Sequence, residues 1–220
     1  MTGGSLWQIA SFTALAALAA TGMMLVPGVG LAWLLARRRF PGKALVETLI
    51  SLPLVIPPVA TGLLLLWTFG RRGPVGVLLE RAGVEVMFTP AAVVLAMAVM
   101  GLPLLVRTAR AGFEQVTLRY EQMAETLGAG PWRVFTTVTL PLASRSILAG
   151  ALLGFSRALG EFGATMVVAG SIPGRTRTLA VGIYSATEAG HDGEAAALLV
   201  VSVVIAFGAV LASNRLAEVR

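Results

Sequence analysis

Long uncharged segments alternate with short charged ones along the chain. Four segments contain no Asp, Glu, Lys or Arg: Met1–Ala36, Thr48–Gly70, Val86–Val106 and Ala195–Asn214. A fifth apolar segment, Ile147–Ala169, is interrupted only by Arg157 and Glu161. A helix of about 20 mostly apolar residues is long enough to cross the hydrocarbon core of a bilayer. The pattern therefore predicts about five membrane-spanning helices.

The composition supports this prediction. Hydrophobic residues make up 56% of the 220 residues and charged residues only 13%, whereas about 25% of the residues in an average soluble domain are charged. A soluble domain of this length has no core large enough to bury so much apolar surface. We therefore expect an all-α, polytopic membrane protein with a single transmembrane domain over residues 1–220, in contact with the lipid bilayer and not with nucleic acid.

Few residues are available for catalysis or metal binding. The chain has no cysteine and one histidine, His191, which excludes a thiolate nucleophile and a metal centre rich in Cys or His. It also lacks the GxxxxGK[ST] loop that cradles nucleotide phosphates. We expect this chain to be no enzyme and to hold no cofactor or metal of its own.

Basic residues are distributed unevenly among the segments that connect the predicted spans. With the N-terminus outside, eleven of the 17 Lys and Arg residues fall in cytoplasmic segments and five in external ones. Lys and Arg are enriched on the cytoplasmic side of membrane proteins. The count therefore predicts an external N-terminus and a cytoplasmic C-terminus.

The longest cytoplasmic segment, about residues 115–141, has the pattern of two short helices. Apolar residues recur at helical spacing from Phe113 to Leu127, Gly128 ends this helix, and Pro131 suits the first turn of a second helix over Trp132–Thr139. The segment favours docking of a partner protein over an interfacial helix lying on the membrane, because four apolar side chains have little of their own to pack against. These are Met123, Leu127, Trp132 and Phe135.

Two features inside the predicted spans bear on transport. Pro57 and Pro58 disrupt the second span, either as a helix broken beside a pathway or as a packing kink. Arg157 and Glu161 lie four residues apart in the fourth span, which would place them on one helix face. Charges inside a membrane are costly, so these two either line a pathway or form a structural ion pair. We assign all four residues to the translocation pathway or gate.

Glycine spacing in the same span predicts close helix packing. Gly150 and Gly154 form a GxxxG pattern, which lets two membrane helices approach closely. This pattern is common and carries no information about a substrate.

The cytoplasmic segment resembles the EAA loop of the permease subunits of bacterial ABC importers. That loop has the pattern Glu-Ala-Ala, three residues, Gly, nine residues, a hydrophobic residue, one residue, Leu-Pro. Four residues match it in register: Gly128, Val138, Leu140 and Pro141. The first three positions are Gln122, Met123 and Ala124, so only the second alanine is kept, and Glu121 stands one residue early.

Three longer stretches extend the resemblance over most of the chain. They are RRRFPGKALVETLISLPLVIPPVATGLLLL, TLGAGPWRVFTTVTLPL and SRALGEFGATMVVAGSIPGRTRTL, and they resemble the molybdate permease subunits of these importers. Sulfate and thiosulfate permeases share the FPGK and GEFG elements and are the alternative, whereas the IPGRTRTL stretch favours molybdate, with tungstate as a second cargo. A secondary transporter acting alone is a weaker hypothesis, because the halves of the sequence show no paired repeat.

The resemblance implies a type I importer permease fold like that of molybdate and methionine transporters. It implies a homodimer in the bacterial inner membrane, two cytoplasmic ATP-binding subunits that hold ATP and Mg²⁺, and a periplasmic oxyanion-binding protein that delivers molybdate. In such permeases the EAA loop couples to the ATP-binding subunits. The corresponding residues here are Glu121, Gln122, Met123, Ala124, Leu127, Gly128, Trp132, Phe135, Leu140 and Pro141.

Overall fold

The computed structural model describes residues 3–218, with side chains for residues 6–211. The fold is all-α. Its helices are α1 (Gly3–Arg37), α2 (Lys43–Val55), α3 (Pro58–Phe69), α4 (Pro74–Arg81), α5 (Pro90–Gln115), α6 (Leu118–Thr126), α7 (Pro131–Val134), α8 (Leu140–Leu159), α9 (Gly163–Ala169), α10 (Leu179–Glu188) and α11 (Asp192–Glu218). A π-helical stretch, Phe135–Thr139, joins α7 to α8, so these three segments form one rod.

Within the described residues, four helical stretches are long and apolar enough to cross a membrane. They are α1, α5, the rod from α7 to α8, and α11. As a bent pair, α2 and α3 pass the same test together, which gives five spans when the pair is counted as one. The prediction of an all-α protein with about five spans is therefore confirmed.

The centre of the molecule is the contact between α5 and α8, flanked by α1. A Cβ at Gly150 would lie 3.0 Å from the carbonyl oxygen of Leu105, and one at Gly101 would lie 2.9 Å from that of Gly154. Membrane helices associate through such close backbone approach, because lipid is as apolar as their side chains. The predicted close packing at Gly150 and Gly154 is confirmed.

The second predicted span is broken. Its two halves, α2 and α3, meet at an angle of 119°. Ile56 is extended, as expected for a residue that precedes proline, and Pro57 and Pro58 have no N–H to continue the helix. The helix is therefore broken at the two prolines and not merely kinked, and the role of this break in a pathway stays a prediction.

The fourth predicted span also breaks, which overturns one expectation. Because α8 ends at Leu159 and α9 begins at Gly163, Arg157 lies in the last turn of α8 and Glu161 lies beyond it. The prediction that the two charges share a helix face is therefore wrong. The Glu161 carboxylate accepts a hydrogen bond from the backbone N–H of Ala164, which caps the new helix.

The segment over residues 115–141 divides into helices differently from its prediction. No helix spans Phe113 to Leu127, because Phe113 and Val116 are buried in a core cluster with α1 and α8, and the chain turns before α6. No separate helix covers Trp132–Thr139 either. That stretch belongs to the rod that continues into α8, since nothing between Pro131 and Leu159 stops the helix.

The two ends of α1 contact different parts of the chain. At its carboxyl end, Arg37 reaches the turn between α5 and α6. Near its amino end, Thr13 Oγ1 accepts a hydrogen bond of 2.9 Å from the N–H of Leu179, at the start of α10. The α6 segment and the connection before α10 therefore lie at opposite ends of the molecule.

Candidate functional site

The helix α6 projects from the membrane-spanning body. None of its residues is buried. The apolar side chains of this segment that stay exposed are Leu118, Tyr120, Met123, Leu127 and Trp132. Exposed apolar side chains grouped in this way are typical of surfaces that contact a protein or a membrane, so the docking role stays a prediction.

The turn after α6 has the predicted geometry. Gly128 adopts a left-handed φ of 86°, a backbone conformation that favours glycine. The N–H of Ala129 donates to the carbonyl of Ala124 over 3.0 Å and closes the helix end. Pro131 then occupies the first turn of α7, so the predicted stop and start are confirmed.

Several residues of the segment have positions that the sequence did not indicate. Phe135 is half-buried, with its ring centroid 5.5 Å from Trp33 and 6.4 Å from Phe113. It fastens the rod to the membrane-spanning body and does not belong to the exposed surface. Among the other assigned residues, Gln122 and Pro141 are exposed, whereas Ala124 and Leu140 are half-buried.

Glu121 anchors α6 to two other elements. Its Oε1 accepts hydrogen bonds of 2.8 Å from Arg37 Nη2 and from Thr139 Oγ1. Arg37 also donates to the carbonyl oxygen of Val116, at the end of α5. One carboxylate thus joins α1, α6 and the π-helical stretch. Sequence reasoning missed Arg37 and Thr139, because the pattern showed Arg37 only as part of a basic cluster.

The two helix breaks meet in the body of the protein. A Cβ at Gly163 would lie 2.9 Å from Pro58 Cβ, and a Cβ at Gly62 would lie 2.8 Å from the Cα of Ala164. Glycine permits this approach of α3 to α9. The structure therefore brings the Pro57–Pro58 break next to the break that contains Glu161, which the sequence did not indicate.

Arg157 and Glu161 form an ion pair at this junction. Arg157 Nη1 lies 2.7 Å from Glu161 Oε2, although no N–H of the guanidinium is aimed at that oxygen. The side chain of Glu161 is 1% exposed and that of Arg157 is 27% exposed. The buried carboxylate therefore acts as a counter-ion, while the guanidinium is partly exposed and its N–H groups make no hydrogen bond to the described residues.

The chain matches a known protein family over most of its length. The sequence model for the family described as binding-protein-dependent transport system inner membrane component matches residues 28–216. The molybdenum transport system permease protein ModB of Escherichia coli (strain K12) is 46% identical over 194 residues, which cover 87% of this chain and 85% of that protein. The sulfate transport system permease protein CysW of Synechococcus elongatus is 41% identical over 152 residues, 69% of this chain and 53% of that protein.

Solved structures share the fold at low sequence identity. One is a bacterial alginate ABC transporter in complex with an alginate-bound periplasmic protein, with a TM-score of 0.69, 18% identity, and coverage of 92% of this chain and 76% of that chain. Another is the inward-facing MetNI methionine ABC transporter, with a TM-score of 0.66, 14% identity, and coverage of 97% and 93%. The type I importer permease fold is thereby confirmed.

Proposed function

Because this chain belongs to the family of binding-protein-dependent transport system inner membrane components, we propose that it is the membrane-spanning permease subunit of an ATP-binding-cassette importer for molybdate. One observation carries the choice of cargo. The molybdenum permease resembles this chain at higher identity, and over more of its length, than the sulfate permease does. Tungstate has the same charge and tetrahedral shape and is expected to share the pathway.

The exposed surface of α6 and the Gly128 turn supports docking in a cleft of a cytoplasmic ATP-binding subunit. Its apolar side chains need a partner, and the left-handed glycine lets a partner backbone approach closely. ATP and Mg²⁺ would bind in that subunit, so this chain is no ATPase. The active assembly would contain a second copy of this chain and two ATP-binding subunits.

The end of the molecule opposite α6 would face the periplasm and receive molybdate from an oxyanion-binding protein. This orientation follows from the excess of Lys and Arg in the segments on the α6 side, including Arg37 and Lys43. In this orientation the N-terminus would lie outside and the C-terminus in the cytoplasm of a bacterial cell.

The junction of the two helix breaks would form part of the translocation pathway. A passing dianion would compete with Glu161 for the partly exposed guanidinium of Arg157, whose N–H groups suit an oxyanion. The buried carboxylate would keep this binding weak enough for release. The Pro57–Pro58 break would leave backbone groups without helical partners between α2 and α3, which is tolerated in a membrane where they line a water-filled pathway.

Uptake of labelled molybdate tests this function, in cells with and without this chain and with unlabelled sulfate as competitor. We expect uptake only in cells that contain the chain, with little effect from an excess of sulfate. Strong competition by sulfate would identify a sulfate importer. Equal uptake in both kinds of cell would contradict an importer role for either anion.

A further inference from the structure

Three polar side chains meet in the connection between α9 and α10. Arg177 Nε donates a hydrogen bond of 3.1 Å to Ser171 Oγ, which lies 3.0 Å from Ser185 Oγ on α10. We propose that Arg177, Ser171 and Ser185 form an outer binding site for a tetrahedral oxyanion dianion, separate from the Arg157 junction. This inference rests on the proposed function, because it names a step on the route of the same anion.

The cluster has a positive charge that the described residues leave uncompensated. Arg177 is half-buried, and none of the carboxylates described between residues 6 and 211 forms an ion pair with it. A guanidinium that is partly removed from water favours an anionic partner. An oxyanion bound from outside would supply that partner.

Arg177 and the two serines have hydrogen-bond donors that they do not use within the cluster. Of the N–H groups in the Arg177 side chain, only the Nε–H has a hydrogen-bond partner among the side chains described between residues 6 and 211, so the Nη groups keep four N–H donors for a ligand. The two serine hydroxyls share one hydrogen bond, so one hydroxyl proton remains whichever oxygen donates. A guanidinium edge beside a hydroxyl donor suits the oxygens of a tetrahedral dianion.

The surrounding loop holds the cluster in place before any ligand arrives. The carbonyl oxygen of Ile172 accepts hydrogen bonds from the N–H groups of Arg175, Thr176 and Arg177, at 3.0 to 3.2 Å. Thr176 is fully buried, and its Oγ1 donates to the carbonyl of Ala169 over 2.9 Å. Such preorganisation lowers the entropy cost of binding, because the donors are already ordered.

An aromatic contact links the outer cluster to the junction that contains Arg157 and Glu161. Tyr184, which precedes Ser185, has its ring centroid 4.9 Å from that of Phe162, which follows Glu161. The helix α9 lies between the two clusters and spans about 10 Å at 1.5 Å per residue. The two clusters thus flank α9, and two weak anion sites in series would permit both entry and release.

The test uses the complete transporter, with its ATP-binding subunits and binding protein, reconstituted in proteoliposomes. Labelled molybdate uptake is measured against concentration and normalised to the amount of assembled transporter. For Arg177→Gln we expect a loss of about tenfold or more, since a hydrogen bond to a charged group is lost. Arg177→Lys, which keeps the charge, should lose less, and Ser185→Ala a few-fold.

Arg175→Gln is the matched control. Arg175 lies in the same loop, is exposed, and its side chain makes no described hydrogen bond or ion pair. Its uptake should stay within about twofold of wild type, because removal of an exposed charge changes little. An equal loss for Arg175→Gln and Arg177→Gln would indicate a general charge effect and overturn the site.

The possible results distinguish a failure of the outer site from a failure of the proposed function. If the wild-type transporter takes up no molybdate, the proposed function itself fails. If the wild-type transporter takes up molybdate and Arg177→Gln and Ser185→Ala keep full normalised uptake, the outer site is overturned. The cluster then only holds the loop in place. If Arg177→Gln does not assemble, Ser185→Ala decides: a few-fold loss of normalised uptake supports the site, and full uptake overturns it.

Discussion

The carboxylates of Glu161 and Glu121 are largely withdrawn from solvent, and their neighbours give them different roles. Glu161 is almost fully buried, caps α9 through Ala164 and balances the charge of Arg157. Glu121 is 16% exposed and binds Arg37 and Thr139 at the base of α6. The first carboxylate shapes the proposed pathway, whereas the second holds the surface that faces the proposed partner.

The Arg157–Glu161 pair should respond asymmetrically to mutation. Arg157→Gln strands a buried carboxylate, which costs about 3–5 kcal/mol in buried pairs, so the amount of protein in the membrane should fall. Glu161→Gln keeps an oxygen for the Ala164 N–H and leaves a partly exposed guanidinium, so it should reduce the amount less. Immunoblots of membranes measure both amounts.

The double variant Arg157→Gln with Glu161→Gln separates pathway from packing. We expect it to recover the protein level, because no charge is stranded, but not molybdate uptake, because the guanidinium is gone. Recovery of both level and uptake would mean that the pair is structural and that Arg157 does not contact the anion.

At the level of elements, α6 depends on few contacts for its position. It buries no residue of its own, and the Arg37–Glu121–Thr139 cluster ties its first turn to the body. A helix held in this way can transmit the movement of a bound partner to the membrane-spanning body only if the connecting cluster is rigid. The ion pair supplies this stiffness, because both side chains are largely buried.

Glu121→Gln should therefore uncouple the transporter more than it destabilises it. The amide keeps one acceptor but loses the charge, so normalised molybdate uptake should fall about tenfold, while ATP hydrolysis by the assembled complex falls less. Glu80→Gln is the control, because Glu80 lies exposed on α4, outside the α6 surface, without an ion pair among the described side chains. Parallel loss of uptake and hydrolysis would argue against a role in coupling.

The packing of α3 on α9 makes a second prediction at this scale. Gly62→Ala places a Cβ 2.8 Å from the backbone of Ala164 and must push the two helices apart. We expect reduced uptake and a destabilisation of about 1–3 kcal/mol, as for overpacked cores, measured by thermal unfolding in detergent. Gly22→Ala, at a helical glycine with no neighbour within 4 Å, should leave both unchanged.

At the scale of the whole molecule, the two ends differ in chemistry. The α6 end carries the basic cluster of Arg37, Arg38, Arg39 and Lys43, together with exposed apolar side chains. The opposite end carries the ordered loop with Arg177 and its two serines. This asymmetry fits a molecule that binds a soluble partner at one end and accepts an anion at the other.

Single cysteines test the orientation, since the chain has none of its own. Cysteine at Lys43 or Gln122 should be shielded from an impermeant thiol reagent in intact cells, because both positions lie at the α6 end. Cysteine at Gly3, Arg81 or Gly190 should react. Labelling at Gln122 from outside the cell would contradict the N-out topology.

The sequence by itself determined the helical class, the number of spans, the Gly128 turn and the family. Each of these depends on local properties: the length of an apolar run, the backbone freedom of one glycine, or a motif read in order. The Phe113–Leu127 helix was predicted wrongly for the same reason. The spacing of Val116 fits either α6 or the end of α5, and only the core around Phe113 decides between them.

Only the tertiary structure decided which side chains meet. Arg37 and Glu121 are 84 positions apart, so no local pattern could pair them. The break at Glu161 arises because its carboxylate caps α9 while glycines at positions 62 and 163 let α3 pack against that helix. Ion pairs, caps and close backbone approaches depend on how helices distant in sequence pack together, and hydropathy contains no information about that packing.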